Sequence, residues 1–450
     1  MDSLQVSGQI PQWLAGSLIR TTPARWTVGR EKLNHWFDGL AMLYRFTIRP
    51  DNVSYASKYL RSNAFLTARE RGKIGYREFN TDPRRSGLSR LTAAPGTDND
   101  NVNISILGDE YVALSETNQP IAFDPVSLET KEHLQFEDKL QGQVSTAHPH
   151  LDFSTGESFN YAISMSIKSY YRIYKIRRGR RQRQLIAEIP VDRPSYMHSF
   201  AITPNYVILS EWPLCVAPLD LALGRKPFIS TYGWRPQEGT QFIVAGRADG
   251  SVIKVQAEPY FAFHHVNAFE SDGRIVMDIC AYADQSIIQC FLMDSLMHKE
   301  QAFPAAHITR FILDLNKGTS SSEQLADIPF EFPRINYPQY HTKQHRFVYG
   351  ASTYDVKDFL NELVKVDMQG GKSWTWRQAG AYPGEPVFVA NPRASGEDDG
   401  VILSVVLDSQ AEKSFLLMLD ARDFSELGRA QLPHSIPFGF HGNFYRQRPG

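Results

Sequence analysis

The stretch STAHPHLDF, residues 145–153, holds His148, His150 and Asp152 close together. Three further histidines lie in apolar or aromatic surroundings elsewhere in the chain. Neutral imidazole is a common ligand of iron, zinc and copper, so a set of such histidines could hold one ion. A single histidine in this setting is more often a hydrogen-bonded core residue, and the case for a site depends on the set. The four candidates are His148, His198 in SYMHSF, His264 in FAFHH and His441 in PFGFHG.

The same stretch also allows a different metal site. His150 and Asp152 form an H-x-D triplet, and His198 follows further along the chain. Two histidines and one carboxylate can bind non-haem iron on one face. This triplet occurs often by chance and is typical of a smaller jelly-roll fold, which the rest of the chain does not indicate. The residue pattern alone leaves both sites open.

The sequence predicts that strands position these histidines. Runs rich in β-branched and aromatic residues recur along the whole chain, such as Asn205–Glu211 and Val401–Asp408. Asp249-Gly250 and Asp272-Gly273 lie between such runs, and Asp-Gly is a strong hairpin signal because the turn needs positive φ. Helical periodicity is scarce. We expect short helices within Asp284–Lys299 and Val356–Glu362.

An all-β chain of 450 residues must protect its sheet edges. Four-stranded blades arranged around an axis do so, and about seven blades fit the length at roughly 40–65 residues each. We therefore predict one all-β domain, residues 1–450, with a β-propeller of about seven blades. The candidate histidines are separated by blade-sized steps or multiples of them. Inner strands of a propeller point at one axis, so these side chains could converge.

Composition excludes several other classes. The formal net charge is −1, so no global field attracts nucleic acid. Three cysteines do not make a disulfide framework, and the N-terminus lacks the pattern of a secretory signal. We expect a cytoplasmic protein that could lie on a membrane surface. The basic run Lys175–Gln184 is either a solvated hairpin tip or a contact for anionic lipid.

Short sequence motifs, which follow one another along nearly the whole chain, resemble those of the carotenoid cleavage oxygenases. This family includes the β-carotene oxygenases and the retinoid isomerohydrolase. The resemblance rests on many short motifs at matching spacing. These are PQWLAGSLIR (11–20), HWFDG (35–39), SETN (115–118), TAHPH (146–150), MHSFAITPNYVIL (197–209), FHHVNAFE (263–270), FEFPRINY (330–337), YPGEPVFV (382–389), EDDGVILSVV (397–406) and IPFGFHG (436–442).

This resemblance implies a seven-bladed propeller with a cap of loops and short helices over one face. It also implies an iron(II) ion, Fe(2+), held by His148, His198, His264 and His441. His150 and Asp152 are then not ligands. It also implies three glutamates that accept hydrogen bonds from the outer nitrogens of the ligand rings, which fixes their tautomer and raises their basicity. The implied pairs are Glu116 with His198, Glu331 with His264 and Glu385 with His441.

The implied reaction is dioxygen-dependent cleavage of one C=C bond of a carotenoid or apocarotenoid to two carbonyl products. We favour cleavage of the central double bond, which yields retinal. The partners are then a hydrophobic polyene and dioxygen, with possible peripheral membrane contact and no nucleic acid. Within the family the region Leu214–Trp234 contributes to an apolar mouth, although an internal cap helix would also explain its composition.

Alternatives on the same site are a retinoid isomerohydrolase or a stilbene-cleaving dioxygenase. The stilbene branch tends to place lysine where this chain has Ser115, which disfavours that activity. The short loop before Thr97–Ile104 lacks the cysteine-containing insertion of the animal isomerohydrolase. A third hypothesis is a non-catalytic propeller that binds hydrophobic ligands. The complete set of histidines and glutamates argues against it.

Overall fold

A computed structural model describes residues 3–84, 94–298 and 302–446, and most of its regular structure is β-strand. The strands, in chain order, are β1 (Gln5–Gly8), β2 (Gly16–Pro23), β3 (Thr27–Val28), β4 (Glu31–Lys32), β5 (Ala41–Arg49), β6 (Asn52–Tyr59), β7 (Asn103–Leu107), β8 (Glu110–Leu114), β9 (Ile121–Phe123), β10 (Thr130–His133), β11 (Val144–Ser145), β12 (His150–Asp152), β13 (Glu157–Ser164), β14 (Ser169–Ile176), β15 (Arg183–Val191), β16 (Ala201–Ile202), β17 (Tyr206–Glu211), β18 (Leu214–Cys215), β19 (Gly233–Trp234), β20 (Thr240–Gly246), β21 (Val252–Ala257), β22 (Phe261–Ser271), β23 (Arg274–Tyr282), β24 (His307–Asp314), β25 (Thr319–Gln324), β26 (Glu331–Arg334), β27 (Phe347–Ser352), β28 (Glu362–Asp367), β29 (Ser373–Trp376), β30 (Ala381–Pro383), β31 (Val387–Ala390), β32 (Gly400–Asp408), β33 (Lys413–Asp420), β34 (Glu426–Gln431) and β35 (Gly442–Arg446).

These strands build a propeller-like arrangement of antiparallel sheets, which confirms the all-β prediction. Three sheets have four strands each, ordered β35-β2-β5-β6, β10-β9-β8-β7 and β26-β27-β28-β29. A five-stranded sheet contains β11 to β15, and a six-stranded sheet runs β1-β34-β33-β32-β30, with β31 paired to β32. The largest sheet has eight strands, β16-β17-β20-β21-β25-β24-β23-β22.

The blade count differs from the predicted seven. Five blades are separate sheets of four to six strands, eight further strands form one sheet, and β3-β4 and β18-β19 are two-stranded ribbons. The cause is one parallel contact between β21 and β25, at Gln256 and Thr319, which joins two four-stranded antiparallel halves edge to edge. Strand content and turn residues carry no signal for such a contact between neighbouring outer strands.

Burial along the strands follows their place in each sheet. Strand β22 is buried over nearly its whole length, whereas β25, TSSSEQ, is almost fully exposed. Beyond its single contact with β21, the polar residues of β25 keep the rest of that edge from joining other chains. The apolar inner strands therefore face the core, and β22 carries His264 there.

Helices in the described ranges are short. They are α1 (Asn63–Arg71), α2 (Pro218–Leu223), α3 (Ile287–Cys290), α4 (Met293–Leu296) and α5 (Tyr337–Tyr340), with 3-10 turns at Trp36–Asp38, Ile229–Thr231 and Pro236–Glu238. None of these helices has the length and apolar character that crossing a bilayer requires.

Of the two predicted helices, one is wrong. The segment Asp284–Lys299 contains α3 and α4, but Val356–Glu362 has no helix: residues 356–358 form a turn and a bend, and Glu362 begins β28. There the Asp355 carboxylate accepts from the Lys357 amide, and its carbonyl accepts from the Thr353 hydroxyl. Such local side-chain bonds compete with helical pairing.

The two ends of the chain close the ring. The last strand, β35, pairs with β2, and β1 pairs with β34. At this seam Arg20 lies opposite Gly442, the residue that follows His441. A Cβ atom at Gly442 would lie 2.2 Å from the Arg20 Cγ atom and 2.4 Å from the Ile19 carbonyl oxygen. The seam therefore requires glycine because the two backbones approach so closely.

Gly442→Ala is expected to destabilise the fold, since overpacking a closed site costs about 1–3 kcal/mol. The loss should appear as a lower midpoint in urea unfolding followed by circular dichroism. Gly233→Ala is the matched control, because no heavy atom lies within 4 Å of a Cβ added there. Equal midpoints for the two variants would contradict the close approach at the seam.

Candidate metal centre and apolar cavity

Four histidines from distant parts of the chain meet at one point. His148 lies between β11 and β12, His198 precedes β16, His264 is in β22 and His441 directly precedes β35. Their ligand nitrogens all lie within 4.8 Å of one another. The Nε2 atoms of His148 and His198 are 3.1 Å apart, and those of His264 and His441 are 3.0 Å apart.

Three of these rings hydrogen-bond to a carboxylate through the nitrogen that points away from the cluster. The bonds join His198 Nδ1 to Glu116 Oε1 (2.6 Å), His264 Nδ1 to Glu331 Oε2 (2.5 Å) and His441 Nδ1 to Glu385 Oε1 (2.7 Å). The structure thus places every glutamate suggested by the resemblance beside the histidine assigned to it. The carboxylates lie on the outer side of the rings, behind the converging nitrogens.

This bonding pattern fits a bound cation. An ionised carboxylate only accepts, so the Nδ1 atoms facing Glu331 and Glu385 carry the proton. The Nε2 atoms of His264 and His441 then present lone pairs to each other at 3.0 Å, which no hydrogen bond relieves. A metal ion between them would accept both lone pairs. An all-imidazole donor set suits iron, zinc, copper or nickel, so the donors alone do not choose among these metals.

At two of the four rings, those of His148 and His441, the local environment favours the neutral form, which can donate to a metal. Burial, helped by the neighbouring rings, lowers the pKa of His148 well below its usual value. Burial also lowers the pKa of His441 to about 3, although Glu385 opposes that shift. Proton competition for these nitrogens is therefore weak near neutral pH.

Two arginines form ion pairs with Glu385, and neither role is among the predictions from the sequence. Arg20 Nη1 donates to Glu385 Oε2 at 3.1 Å, and Arg334 Nε donates to Oε1 at 2.8 Å. Arg20 and Glu385 are each only 1% exposed. Burial alone would raise the pKa of Glu385, but Arg334, His441 and Arg20 together hold it well below its usual range.

The same arginines also fix the backbone on both sides of His441. Arg20 donates to the Phe440 carbonyl at 2.7 Å, and Arg334 donates to the Gly442 carbonyl at 2.6 Å. An arginine in the apolar run SLIRTTP was a visible signal for Arg20, because a guanidinium is rarely buried without a partner. The partner itself lies 365 residues away.

The alternative H-x-D site does not assemble. His150 interacts with the Tyr337 hydroxyl through Nδ1 (2.8 Å) and with the Phe200 carbonyl through Nε2 (2.7 Å). Asp152 accepts from Arg247 at 2.6 Å. Both side chains are therefore engaged outside the histidine cluster.

An apolar cavity opens from the cluster. Aromatic and aliphatic side chains make up most of its wall. The lining is Trp36, Phe37, Val102, His198, Phe263, His264, Tyr282, Ile287, Phe291, Phe303, Pro304, Ala305, Ala306, Pro329, Phe330, Glu331, Phe332, Thr353, Asp358, Phe359, Leu360, Phe440 and His441. The cluster therefore faces a space that suits a hydrocarbon and holds little polar surface to retain water.

The segment Leu214–Trp234 mostly packs inward. It contains α2, and Leu221 and Ile229 join the main hydrophobic core. Leu219, which is 69% exposed, is the large apolar side chain of this segment that faces solvent. The internal-cap interpretation therefore describes most of the segment better than an apolar mouth does.

Glu331→Gln is expected to weaken metal binding by roughly 10–100-fold, the usual cost of losing an outer carboxylate partner of a ligand. Glutamine keeps the shape of the side chain but cannot hold the His264 proton as strongly. Competition against a chelator of known affinity would measure the change. The variant Glu323→Gln, on the exposed strand β25, should bind metal like the parent protein. Unchanged affinity in Glu331→Gln would contradict the role of this bond.

Comparisons with known proteins agree with this geometry. The sequence profile described as retinal pigment epithelial membrane protein matches residues 2–446. The mitochondrial carotenoid-cleaving dioxygenase of Macaca fascicularis is 32% identical over 98% of this chain and 91% of its own length. The beta,beta-carotene 15,15'-dioxygenase of Homo sapiens is 33% identical, with 98% and 91% covered.

Solved structures of an apocarotenoid oxygenase also superpose on this chain. A cobalt-substituted apocarotenoid oxygenase of Synechocystis superposes with a TM-score of 0.89 at 26% identity, covering 99% of this chain and 95% of the other. The profile spans almost the whole sequence, and the relatives exceed 30% identity over nearly all of it. The chain belongs to the carotenoid oxygenase family.

Proposed function

We propose that this protein is an iron(II)-dependent dioxygenase that cleaves one C=C bond of a carotenoid or apocarotenoid to two carbonyl products. The observation that carries the proposal is the cluster of four imidazoles, three of which line an apolar cavity. His148, His198, His264 and His441 would hold the ion. When bound, iron(II) supplies the redox chemistry that lets dioxygen react with an alkene.

The protein's own residues would bind and orient the polyene and keep water away. Phe37, Phe263 and Phe332 contact the metal-site rings or each other and form an apolar wall beside them. A polyene lying on this wall would have a double bond next to the cluster. Glu116, Glu331 and Glu385 would hold the ring protons on Nδ1, which leaves each Nε2 free to bind the ion.

The proposal can be tested with protein reconstituted anaerobically with iron(II). Dioxygen uptake and product masses would be followed with β-carotene, an apocarotenal and resveratrol. One dioxygen consumed per polyene, with two carbonyl products, is the expected result. The product masses also identify the bond, and central cleavage would give retinal. Bleaching of the polyene without carbonyl products would contradict the proposal.

A second activity on the same centre is hydrolysis with isomerisation of a retinyl ester, favoured by the profile match described as retinal pigment epithelial membrane protein. It would proceed without dioxygen uptake. Stilbene cleavage has less support, because the Ser115 hydroxyl is bonded to Asp100 at 2.6 Å and supplies no cation there. Iron content near zero after reconstitution would favour a non-catalytic propeller.

The proposal extends to the architecture and the location. We count the two antiparallel halves of the eight-stranded sheet as two blades, which gives seven blades in one domain over residues 1–450. We expect the protein to be cytoplasmic and to touch a membrane surface peripherally, because its substrate dissolves in lipid. Vesicle flotation with and without carotenoid would test the contact.

A further inference from the structure

The cavity wall includes a carboxyl group that the proposed reaction does not use. Away from the metal centre, the lining side chains that carry an oxygen atom are Tyr282, Thr353 and Asp358. The Thr353 hydroxyl donates to the Asp355 carbonyl at 2.6 Å, so its proton is engaged. Among the described residues that line the cavity, Asp358 is the one carboxylate outside the metal centre.

The Asp358 carboxylate is held in place by uncharged donors. The Phe359 amide donates to Oδ1 at 2.8 Å. The Asn361 amide and the Tyr382 hydroxyl donate to Oδ2 at 3.1 and 3.3 Å. A carboxylate oxygen can accept about two hydrogen bonds. Oδ1 therefore keeps an acceptor position while the group stays oriented.

A row of aromatic rings connects this carboxylate to the metal centre. Phe440 precedes His441, and its ring lies 4.6 Å from that of Trp36. The Trp36 ring lies 5.3 Å from Phe359, the neighbour of Asp358. A polyene stacked along these rings would have a double bond near the imidazoles and one end group at the carboxylate.

We propose that Asp358 accepts a hydrogen bond from a hydroxyl group on the end of the polyene, so that the protein prefers hydroxylated ends to pure hydrocarbon ends. This inference rests on the proposed function and names its substrate class more closely. A hydrogen bond to a charged acceptor in an apolar cavity corresponds to about 10- to 100-fold in affinity. An anionic end group would be repelled.

The test is binding without turnover. Iron-loaded protein under argon would be titrated with an apocarotenal and with the same compound carrying a ring hydroxyl, and quenching of tryptophan fluorescence would report binding. Trp36 lies in the cavity wall and gives the signal. We expect the parent protein to bind the hydroxylated compound at least about 10-fold more tightly.

The variants make the assignment specific. Asp358→Leu should remove the preference, and Asp358→Asn should reduce it, because a neutral amide oxygen is a weaker acceptor than a carboxylate oxygen. Asp355→Asn is the matched control, since that residue is exposed and lies outside the cavity wall. Equal binding of both compounds by the parent protein, or a preference that survives in both Asp358 variants, would overturn the inference. Binding of neither compound would instead count against the proposed function.

Discussion

Protein in which His264 is replaced by alanine is expected to retain almost no iron after reconstitution and desalting. The ring supplies one of four converging nitrogens, and its loss should exceed the roughly 10–100-fold cost of losing an outer partner. Iron analysis and dioxygen uptake would both fall to background. The strands should remain, because β22 keeps its long antiparallel pairing with β23.

His265→Ala is the matched control for this variant. His265 is the next residue in β22, but its nitrogens interact with the Ser199 and Ser210 hydroxyls at 2.7 and 2.6 Å. This variant should bind iron while losing about 1–3 kcal/mol of stability, because the buried Ser210 hydroxyl loses its partner, whereas Ser199 still donates to the Phe263 carbonyl. Iron retained by His264→Ala at the parent level would show that this ring is not a ligand.

Glu385→Gln is expected to cause the largest loss of stability among the glutamate variants. The substitution leaves Arg20 and Arg334 without their shared counter-charge, and removing one partner of a buried ion pair costs about 3–5 kcal/mol. Urea unfolding of the metal-free protein would measure it. Glu116→Gln should cost less, because the partners of Glu116 are His198 and the Tyr196 hydroxyl rather than arginines. The double variant Glu385→Gln with Arg334→Met should recover part of the loss.

The same ion pairs predict how stability depends on pH. The pKa of Glu385 is lower in the folded state than in the unfolded chain, where a glutamate has a value of about 4.3. Its contribution is therefore complete above that value and is lost as pH falls through the lower folded-state pKa. Glu385→Gln should flatten this part of the acid-unfolding curve. An acid-unfolding curve identical to that of the parent protein would contradict the stabilising role of the ion pairs that Arg20 and Arg334 form with Glu385.

Local signals in the sequence were enough for much of the fold. The turn at Asp272-Gly273 joins β22 to β23, and both residues have positive φ, as an Asp-Gly hairpin requires. The turn at Asp249-Gly250 lies in the same way between β20 and β21. The parallel contact that joins two half-sheets could not be predicted, because it depends on how neighbouring outer strands meet after folding.

Residue types alone predict only part of the candidate site. His148 and His150 are two positions apart, and nothing local decides which one faces the other histidines. The partner that engages His150 is Tyr337, 187 residues away. Each histidine lies in an apolar motif that indicates it, whereas the role of Arg20 depends on Glu385, 365 residues further along the chain, which no local pattern indicates.

The most direct test of the central claim is the fate of labelled dioxygen in the reaction with an apocarotenal. Iron-loaded protein would be supplied with ¹⁸O₂, and the carbonyl products would be reduced at once to prevent exchange with water. We predict one labelled oxygen atom in each of the two products. Products whose new oxygen comes from labelled water, formed without dioxygen uptake, would contradict a dioxygenase and point to hydrolysis at the same four histidines.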